Sequence, residues 1–312
     1  MAKSPYTIDP ELTGIAIAYR NAPSDYIADS IAPIRSVGKE IFEWDKYTLE
    51  EMYTIPDTKV GRMSAPNQVT FSSTREQDST VDYGLDSPVP QKDIDNADAN
   101  QNPLGHATEG VMELVRLDRE KRVADKTFDL NTYLAAQRTT LSGTSQWSDA
   151  TSDPITAISD ALDVALMRPN IMVLGQAAWT GLRRNPKIVE ACVATGANQG
   201  LVGRAAVAEL FELDEILVGR SFQNVAKPGQ TASFTRLWGK HCALIHRSPL
   251  AQLTGSMMPT FMMTARFGTP MAGTISEPDM GLKGGVRIRA GESCKEMVIS
   301  QLCGYFFQNV VA

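Results

Sequence analysis

The stretch that decides the fold is residues 107–138, which read ATEGVMELVRLDREKRVADKTFDLNTYLAAQR. It holds no proline and a single glycine, Gly110, and strong helix formers dominate it. Its apolar residues recur at helical spacing in an interrupted stripe: Val111, Leu114, Val115, Val123, Ala124, Phe128, Leu134 and Ala135. The stretch therefore predicts one helix of about 30 residues, which would be ~45 Å long.

The charges on this stretch also favour a helix. Two pairs of opposite charge stand four residues apart, Arg116–Glu120 and Asp118–Arg122. A helix of this length is well above the usual mean of about 11–12 residues and would act as the spine of a domain. We expect Val115 and Phe128 to face a β-sheet packed against it.

The chain after this stretch alternates helices and strands. Ser152-Asp153-Pro154 marks a helix start, because a capping residue precedes a proline. The pattern then predicts a strand over 171–174, helices over 177–184 and 204–211, and a strand over 215–218. The tail is predicted as strands over 232–238, 242–246, 258–266, 286–289, 295–301 and 305–311. This half indicates a compact α/β unit.

The chain before this stretch has no core of its own. Prolines break residues 1–38 into an irregular arm with one possible small helix at 14–19, and we expect the arm to add little to the fold of one subunit. Three β-prone pieces follow at 40–44, 47–49 and 67–71, with polar segments between them. Apolar residues are sparse here, so a long hairpin that packs on something else is predicted.

Charge is distributed unevenly along the chain. The net charge is -6, but residues 1–105 carry 9 basic and 17 acidic residues, and residues 106–312 carry 21 and 19. This is not the basic footprint of a nucleic-acid-binding protein. An acidic front third on a near-neutral remainder favours contact between opposite charges, within or between chains. The alternative is an acidic surface that is simply solvated.

Motifs for catalysis and cofactor binding are missing from the sequence. It has no phosphate-binding glycine loop, dinucleotide fingerprint, zinc-protease or serine-hydrolase motif. The four cysteines have no CxxC spacing, and the three histidines are not spaced as metal ligands. No apolar run approaches the ~20 residues that span a bilayer. We expect no cofactor, no metal site and no membrane contact.

Six short motifs carry a family resemblance in their order along the chain. They are YIADSIAP at 26–33, YGLDSPVP with DIDNA at 83–97, WSD with SDPI at 147–155, RPNIMVLGQAAW at 168–179, LFELDEILVG at 210–219 and WG at 238–239. Together they resemble the major capsid proteins of tailed bacteriophages with the Hong Kong ninety-seven-type fold. The closer similarity is to the branch typified by phage lambda capsid protein E.

The resemblance implies a fold class and a division of the chain. The fold would be α+β of the Hong Kong ninety-seven type. Residues 1–38 would form the N-terminal arm, 39–86 an extended loop, 87–145 a peripheral domain with the spine helix, 146–285 an axial domain, and 286–312 the return strands of the peripheral domain.

The resemblance also implies a function and partners. Such proteins are not enzymes; they assemble as hexamers and pentamers into the icosahedral shell that encloses packaged double-stranded DNA. The implied partners are further copies of the chain, a separate scaffolding protein, a portal, a possible decoration protein and DNA bound non-specifically on the inner face. The implied location is the virion capsid, with assembly in the cytoplasm of the host bacterium.

Charged residues in the implied extended loop and on the spine helix are the candidates for contacts between subunits. The loop of one subunit would lie across the spine of its neighbour. The candidates are Asp57, Glu76, Asp78 and Asp82 on the acidic side and Arg116, Arg119, Lys121 and Arg122 on the basic side. Some relatives join subunits through a Lys–Asn isopeptide bond; Lys46 and Lys59 lie in the loop, but no pattern identifies a partner asparagine.

Three alternatives stay open at the level of sequence. An encapsulin-like compartment would have the same fold and enclose a cargo enzyme. A soluble α/β enzyme of unrecognised type would have a pocket with convergent polar groups. A minor structural protein of the virion would differ from a major capsid protein in its copy number.

Overall fold

The computed structural model describes residues 7–8, 25–47, 51, 53–97, 102–192, 200–249 and 259–312. Its strands are β1 (Thr7–Ile8), β2 (Ile34–Val37), β3 (Ile41–Tyr47), β4 (Ser73–Ser79), β5 (Val81–Pro90), β6 (Arg138–Thr140), β7 (Ile171–Gly175), β8 (Glu215–Gly219), β9 (Phe222–Asn224), β10 (Phe234–Arg236), β11 (Cys242–Ile245), β12 (Met262–Glu277), β13 (Gly285–Val298) and β14 (Gly304–Gln308). Its helices are α1 (Ala28–Ile31), α2 (Gln91–Asp95), α3 (Pro103–Thr127), α4 (Pro154–Val164), α5 (Gln176–Leu182), α6 (Pro186–Cys192) and α7 (Arg204–Leu210). The predicted small helix at 14–19 lies outside the described residues.

The first sheet is built on the long antiparallel hairpin of β12 and β13. β5 pairs antiparallel with the outer edge of β13. The outer edge of β12 is shared by β1, which is antiparallel to it, and β2, which is parallel. The register of the hairpin shifts between Phe267 and Met271, where the strand passes Gly268 and Pro270. Because proline removes a backbone donor and glycine favours irregular backbone, a bulge is expected there.

The second sheet has the order β6-β14-β11-β7-β8. β7 is parallel to β8 and antiparallel to β11, and β14 is antiparallel to β11 and parallel to β6. Every residue of β7 and of β11 is buried. Their continuous apolar sequences follow from this position, since both faces of the sheet are covered.

The two faces of the second sheet pack on different parts of the chain. One face, with Met172 and Leu174, packs against helices α4 to α7. The other face, with Ile171 and Val173, packs against α1, the end of α3 and the aromatic residues around Trp238. The start of α3 lies instead on the first sheet, where Val111 packs on Ala272 and Ala290. Helix α3 is therefore the element that joins the two sheets.

Helix α3 confirms the predicted spine but is shorter than predicted. Asn102 caps its first turn, accepting a hydrogen bond from the Gly105 amide at 2.9 Å. The helix ends at Thr127 rather than near residue 138. The Asp129 side chain accepts a hydrogen bond from the Asn131 amide at 2.9 Å, which stabilises a short 3₁₀ turn in place of further helix.

Phe128 and Val115 face two different sheets. Phe128 is the half-buried cap of α3, and its ring packs edge-on against Trp238 at 5.4 Å between centroids and stacks on Phe306 at 5.9 Å. It therefore faces the second sheet and not the sheet that packs along the spine. Val115 is buried in the position expected, beside Pro270 and Glu292 of the first sheet.

Most elements predicted in the second half are confirmed. Asp153 caps α4 by accepting from the Thr156 amide at 3.2 Å, and β7, α5, α7 and β8 begin and end within two residues of their predicted limits. The tail differs, because the pieces predicted at 258–266, 286–289 and 295–301 are parts of just two strands of 16 and 14 residues. Glycine and proline interrupt the apolar pattern there, whereas pairing between the strands continues past the interruption.

The hairpin predicted between residues 40 and 80 exists, but its second strand lies elsewhere. β3 pairs antiparallel with β4, from Ile41 opposite Ser79 to Tyr47 opposite Ser73. The predicted strand at 67–71 is extended and exposed without strand pairing. β4 itself reads STREQDS and has no buried residue, so it lacks the alternation that marks a strand in sequence.

The segment 25–37 belongs to the subunit core, contrary to the expectation that the whole arm adds little to the fold. Ile27, Ala28, Ile31 and Ala32 are all buried against the second sheet and α3. Four buried apolar side chains contribute several kcal/mol by burial, at ~0.8 kcal/mol per CH₂ group.

The contact between β8 and Trp238 generates a stability prediction. A methyl group added at Gly219 would lie 2.1 Å from the fully buried Trp238 ring. We expect Gly219→Ala to destabilise the subunit by ~1–3 kcal/mol, because overpacking forces the ring or the strand to move. Urea denaturation measures the change in free energy of unfolding.

Gly110→Ala is the matched control for this prediction. Gly110 lies in α3, and nothing lies within 4 Å of an added methyl group. The substitution should stabilise the helix by up to ~1 kcal/mol, because alanine has the higher helix propensity. Equal effects of the two substitutions would contradict the packing described for Trp238.

Candidate assembly surfaces

The β3–β4 hairpin projects from the subunit without a core. None of its described side chains, at 39–46, 51 and 53–79, is buried. Phe42 and Trp44 lie on one face, with ring centroids 5.7 Å apart, and both remain half-exposed. The hairpin therefore gains little stabilisation from the rest of its own chain.

Large apolar side chains are exposed along this hairpin. Ile55 is 94% exposed and Met63 is 97% exposed. Five more are at least partly uncovered: Ile41, Tyr53, Val60, Val69 and Phe71. Contiguous exposed apolar surface of this kind marks an interaction site rather than an ordinary solvated loop.

Two of the acidic candidates lie on the hairpin and are exposed. Asp57 accepts a hydrogen bond from the Lys59 amide at 2.9 Å. Glu76 lies 3.5 Å from the Lys46 ammonium across the β3–β4 pair. Both are surface interactions, which contribute about 0–1 kcal/mol.

The other two acidic candidates lie where the hairpin joins the first sheet. Asp78 pairs with Lys295 of β13 at 3.2 Å. Asp82 is exposed on β5, opposite Ser293. The structure thus brings the four carboxylates onto one continuous element, but it does not bring them to the cations of α3 within the same chain.

Arg119 is a buried residue inside the subunit. Its side chain is 7% exposed and pairs with Asp29 of α1 at 2.6 Å. Glu292 of β13 lies 3.9 Å away, and the Thr264 hydroxyl lies 3.5 Å from the guanidinium. Arg119 therefore binds both the first sheet and residues 25–37, called the arm segment below, to the spine helix α3.

Arg122, about one turn further along α3, also forms ion pairs inside the subunit. Its guanidinium donates to the Glu296 carboxylate at 2.8 Å and to Asp118. It also lies 3.5 Å over the ring of Tyr83, a cation–π contact with β5. The predicted pair Asp118–Arg122 is confirmed, and Arg122 uses its remaining donors on the first sheet.

Glu296 carries the opposite charge in this contact. Its side chain is only 2% exposed. Burial alone would raise the pKa of Glu296, but the hydrogen bonds and the charge of Arg122 outweigh burial and lower it below the ordinary value. Glu296 is therefore held as a carboxylate.

The remaining two cations lie nearer the surface. Lys121 pairs with Asp125 on the next turn of α3 at 2.6 Å and is 46% exposed. The Arg116 guanidinium lies 5.0 Å from the centre of the Tyr26 ring, and the Tyr26 hydroxyl donates to Glu113. Of the four predicted cations, Lys121 is exposed and Arg116 is half-buried against Tyr26.

Sequence analysis predicted Glu120 as an ion-pair partner of Arg116 and missed the contacts that it makes in the structure. Its carboxylate is buried and accepts hydrogen bonds from the Ile27 amide at 2.8 Å, the Ala28 amide at 2.9 Å and the Trp238 indole at 2.7 Å. Burial raises the pKa of Glu120, while the three donors act in the opposite direction. Its partners lie 92 or more residues away along the chain, so no local spacing could have identified them.

The arrangement is that of a rigid body with an exposed hairpin. Among the described residues, no group of three or more His, Cys, Asp or Glu side chains could hold a metal ion. Within the same residues, no helix is both long and apolar enough to cross a membrane. The features that stand out are surfaces for contact with other chains.

Comparison with known proteins gives the family. A family model described as Phage major capsid protein E matches residues 123–230. The major capsid protein of Pseudomonas phage JBD67 is 50% identical to this chain over 312 residues, which cover 100% of both chains. The chain belongs to the family of phage major capsid proteins. As a phage major capsid protein it is a structural component of the virion capsid and not an enzyme, so the alternative of an unrecognised enzyme is wrong.

Solved structures give the fold of this phage major capsid protein. A phage-related protein from Bordetella bronchiseptica RB50 superposes with a TM-score of 0.74, covers 98% of this chain and 99% of its own, and is 22% identical. An encapsulin from Synechococcus elongatus PCC 7942 superposes with a TM-score of 0.55, covers 100% and 94%, and is 9% identical. Since an encapsulin also has this fold, it is the 50% identity to a phage major capsid protein that favours the capsid over the encapsulin-like alternative.

The buried Glu120 carboxylate generates a second prediction. Glu120→Gln leaves a single acceptor oxygen for three donors and turns an amide group toward a backbone N–H. We expect a loss of ~1–3 kcal/mol in the free energy of unfolding, because a buried donor is left without a partner. Hydrogen exchange should also become faster at the amides of Ile27 and Ala28, measured by mass spectrometry on the native subunit.

Glu113→Gln is the control for this exchange experiment. Glu113 accepts from the Tyr26 hydroxyl in a half-buried position, and a glutamine oxygen can accept the same bond. Exchange at Ile27 and Ala28 should stay close to that of the unaltered protein. If Glu120→Gln leaves both amides equally protected, Glu120 does not hold the arm segment.

The Arg122–Glu296 pair generates a prediction about pH. The pKa of Glu296 is lowered by folding, so its stabilisation is present above the pKa of an unfolded glutamate, about 4.3, and is lost as pH falls through the folded value. Glu296→Gln should cost about 1.5–3 kcal/mol at pH 7 and should make stability fall less steeply between pH 5 and the acid limit. Denaturant titrations at several pH values measure both effects, and unchanged acid slopes would contradict the assignment.

Proposed function

We propose that this phage major capsid protein assembles as hexamers and pentamers into an icosahedral shell around packaged double-stranded DNA. In this proposal the β3–β4 hairpin lies on a neighbouring subunit. The observation that carries it is the hairpin itself, which exposes Ile55 and Met63 almost completely and buries none of its described residues. A subunit that stayed single would gain nothing from such an element.

The energetics support a contact between chains. Burying a large aliphatic side chain that is exposed in the monomer contributes ~1.5–3 kcal/mol. Five exposed aliphatic side chains and two aromatic ones lie along one hairpin, so even partial burial on a neighbour gives several kcal/mol per subunit. The same contact is repeated at every subunit of a shell, so its effect on assembly is multiplied.

We extend the proposal to the division of the chain, with an arm at 1–38, an extended loop at 39–86, a peripheral domain at 87–145, an axial domain at 146–285 and return strands at 286–312. One refinement is proposed. β12 pairs along its length with β13, so residues 262–277 are best counted with the peripheral domain. β14 pairs within the second sheet, so residues 304–308 are best counted with the axial domain.

The proposed partners beyond the chain itself are a separate scaffolding protein, a portal, a possible decoration protein and DNA held non-specifically on the inner face. Assembly is proposed to occur in the cytoplasm of the host bacterium. These partners follow from what a closed shell needs: something to set its size and something to admit DNA.

The charged contact with the neighbour's spine also stays a proposal. Asp57, Glu76, Asp78 and Asp82 would supply the carboxylates, and Arg116 and Lys121 the cations, since Arg119 and Arg122 are used inside the subunit. Arg119 and Arg122 would act indirectly, by fixing the spine in its subunit. Reversing their charge would break buried ion pairs and would not test docking.

The exposed hairpin gives the test of the proposal. The double substitution Ile55→Ser with Met63→Ser should leave the melting temperature of the subunit within about 2 °C, because substitutions at exposed sites change stability by roughly 0.5 kcal/mol or less. Shell formation, measured by sedimentation and electron microscopy, should fall by about tenfold or more. Normal shells from this variant would overturn the role of the hairpin.

A conservative pair of substitutions is the control. Ile55→Val with Met63→Leu keeps both side chains apolar and nearly the same size, so assembly should stay close to normal. Loss of assembly in this variant as well would mean that the hairpin conformation, rather than its apolar surface, is what the neighbour recognises.

A further inference from the structure

A group of arginines lies on the second-sheet side of the molecule. Arg204, at the start of α7, is within electrostatic range of Arg183 and Arg220, and burial together with these like charges lowers its pKa. The Val202 amide donates to the Arg183 carbonyl at 3.3 Å, which holds the two chain segments together. We call these three arginines and Arg236 the arginine cluster.

The cluster borders an open cleft. Arg220 and Arg236 both line a depression of about 540 Å³, together with Asp25, Tyr26, Gln176, Ser221 and Phe222. The Arg236 guanidinium lies 4.6 Å from the centre of the Phe222 ring, and that ring is 51% exposed. The cleft thus offers two cations beside an exposed aromatic face, a combination suited to a flexible acidic segment.

The positive charge of the cluster is poorly balanced within the described residues. The one ion pair there joins Arg220 to Asp25 at 3.8 Å, and Asp25 is 66% exposed. In the described ranges, Arg183, Arg204 and Arg236 form no ion pair. Arginines that form no ion pair within the described residues gain electrostatic stabilisation from carboxylates brought by another chain.

The first third of the chain carries an excess of acidic residues. Residues 1–105 carry 17 acidic residues against 9 basic ones. On the spine, Arg119 and Arg122 are used inside the subunit, so the proposed contact there draws on Arg116 and Lys121 alone. These cations do not balance the excess of carboxylates, so we expect a second positively charged surface to contact them.

We propose that the arginine cluster binds carboxylates from residues 1–105 of a second copy of the chain in the assembled shell. The partner is a second copy because the chain assembles with itself and because its own front third supplies the complementary charge. This inference rests on the proposed function. It adds a named surface for the neighbour, separate from the apolar contacts of the hairpin.

The first test removes charge without reversing it. Arg204→Gln with Arg220→Gln is compared with Lys227→Gln with Lys240→Gln, which removes the same charge from exposed lysines of the same half. Both variants should keep the circular dichroism spectrum of the unaltered subunit. The arginine variant should need about threefold or more protein to form shells, and the lysine variant should assemble normally.

The second test identifies the partner. Arg204→Lys with Arg220→Lys keeps the charge and supplies amines, which a carbodiimide couples to touching carboxylates as amides while the carbodiimide takes up the water. Shells are formed from a mixture of nitrogen-15-labelled and unlabelled subunits, so mass spectrometry separates links between chains from links within one chain. We expect mixed-label links from the introduced lysines to peptides within residues 1–105.

Each other outcome overturns the inference. Links confined to Asp25 of the same chain, links to residues 106–312 of a neighbour, or no links would exclude the proposed partner. If the glutamine variant assembles normally but binds duplex DNA less tightly in a salt titration, the cluster is a phosphate site instead. If the unaltered protein forms no shells, the proposed function fails together with this inference, whereas normal shells from the glutamine variant reject this inference alone.

Discussion

The structure depends on one buried carboxylate. Glu120, on the spine helix, accepts hydrogen bonds from two backbone amides of the arm segment and from the indole of Trp238 beside the second sheet. A carboxylate taken out of water without donors is strongly unfavourable. The spine, the arm segment and the second sheet therefore stabilise one another through this carboxylate, and undocking any one of them would leave it short of donors.

The contact between the spine and the first sheet is polar, and this sets it apart from the rest of the core. Among the described residues, its buried apolar cluster consists of Val111, Ala272 and Ala290, with Met112 packed against it. The buried pair of Arg122 with Glu296 lies at the same interface. Burying ions costs desolvation energy, so such pairs add less stability than apolar packing would. Their directional hydrogen bonds instead fix how far along the sheet the helix lies, which apolar contacts alone leave loosely defined.

Local sequence patterns predicted the second half of the chain well, because its elements are short, apolar and capped. Asp153 before Pro154 marks a helix start, and the buried strand at Ile171–Gly175 is an uninterrupted apolar run. The patterns failed where long-range pairing decides the structure. β4 is entirely polar at its exposed positions and is a strand only because β3 pairs with it.

The candidate assembly surfaces, too, were predictable only in part. The sequence identified the acidic and basic residues correctly as charged groups of the loop and the spine, but it could not tell which were already paired inside the subunit. Arg119 and Arg122 look like surface cations at helical spacing, and their partners Asp29 and Glu296 are far away in sequence. Likewise, the arginine cluster joins residues from separate segments, and only the fold brings them together.

The position of β14 has a consequence for how the chain reaches this fold. β14 lies inside the second sheet, between β6 and β11, and joins residues as distant as Thr139 and Tyr305, which are 166 positions apart. Contacts of such high sequence separation slow folding, because a long loop must close before they form. During synthesis at ~5–20 residues per second, the sheet stays open until residues 304–308 have been made. Chains released before that point lack β14, an inner strand of the second sheet. Such incomplete chains cannot complete the sheet and therefore cannot become subunits.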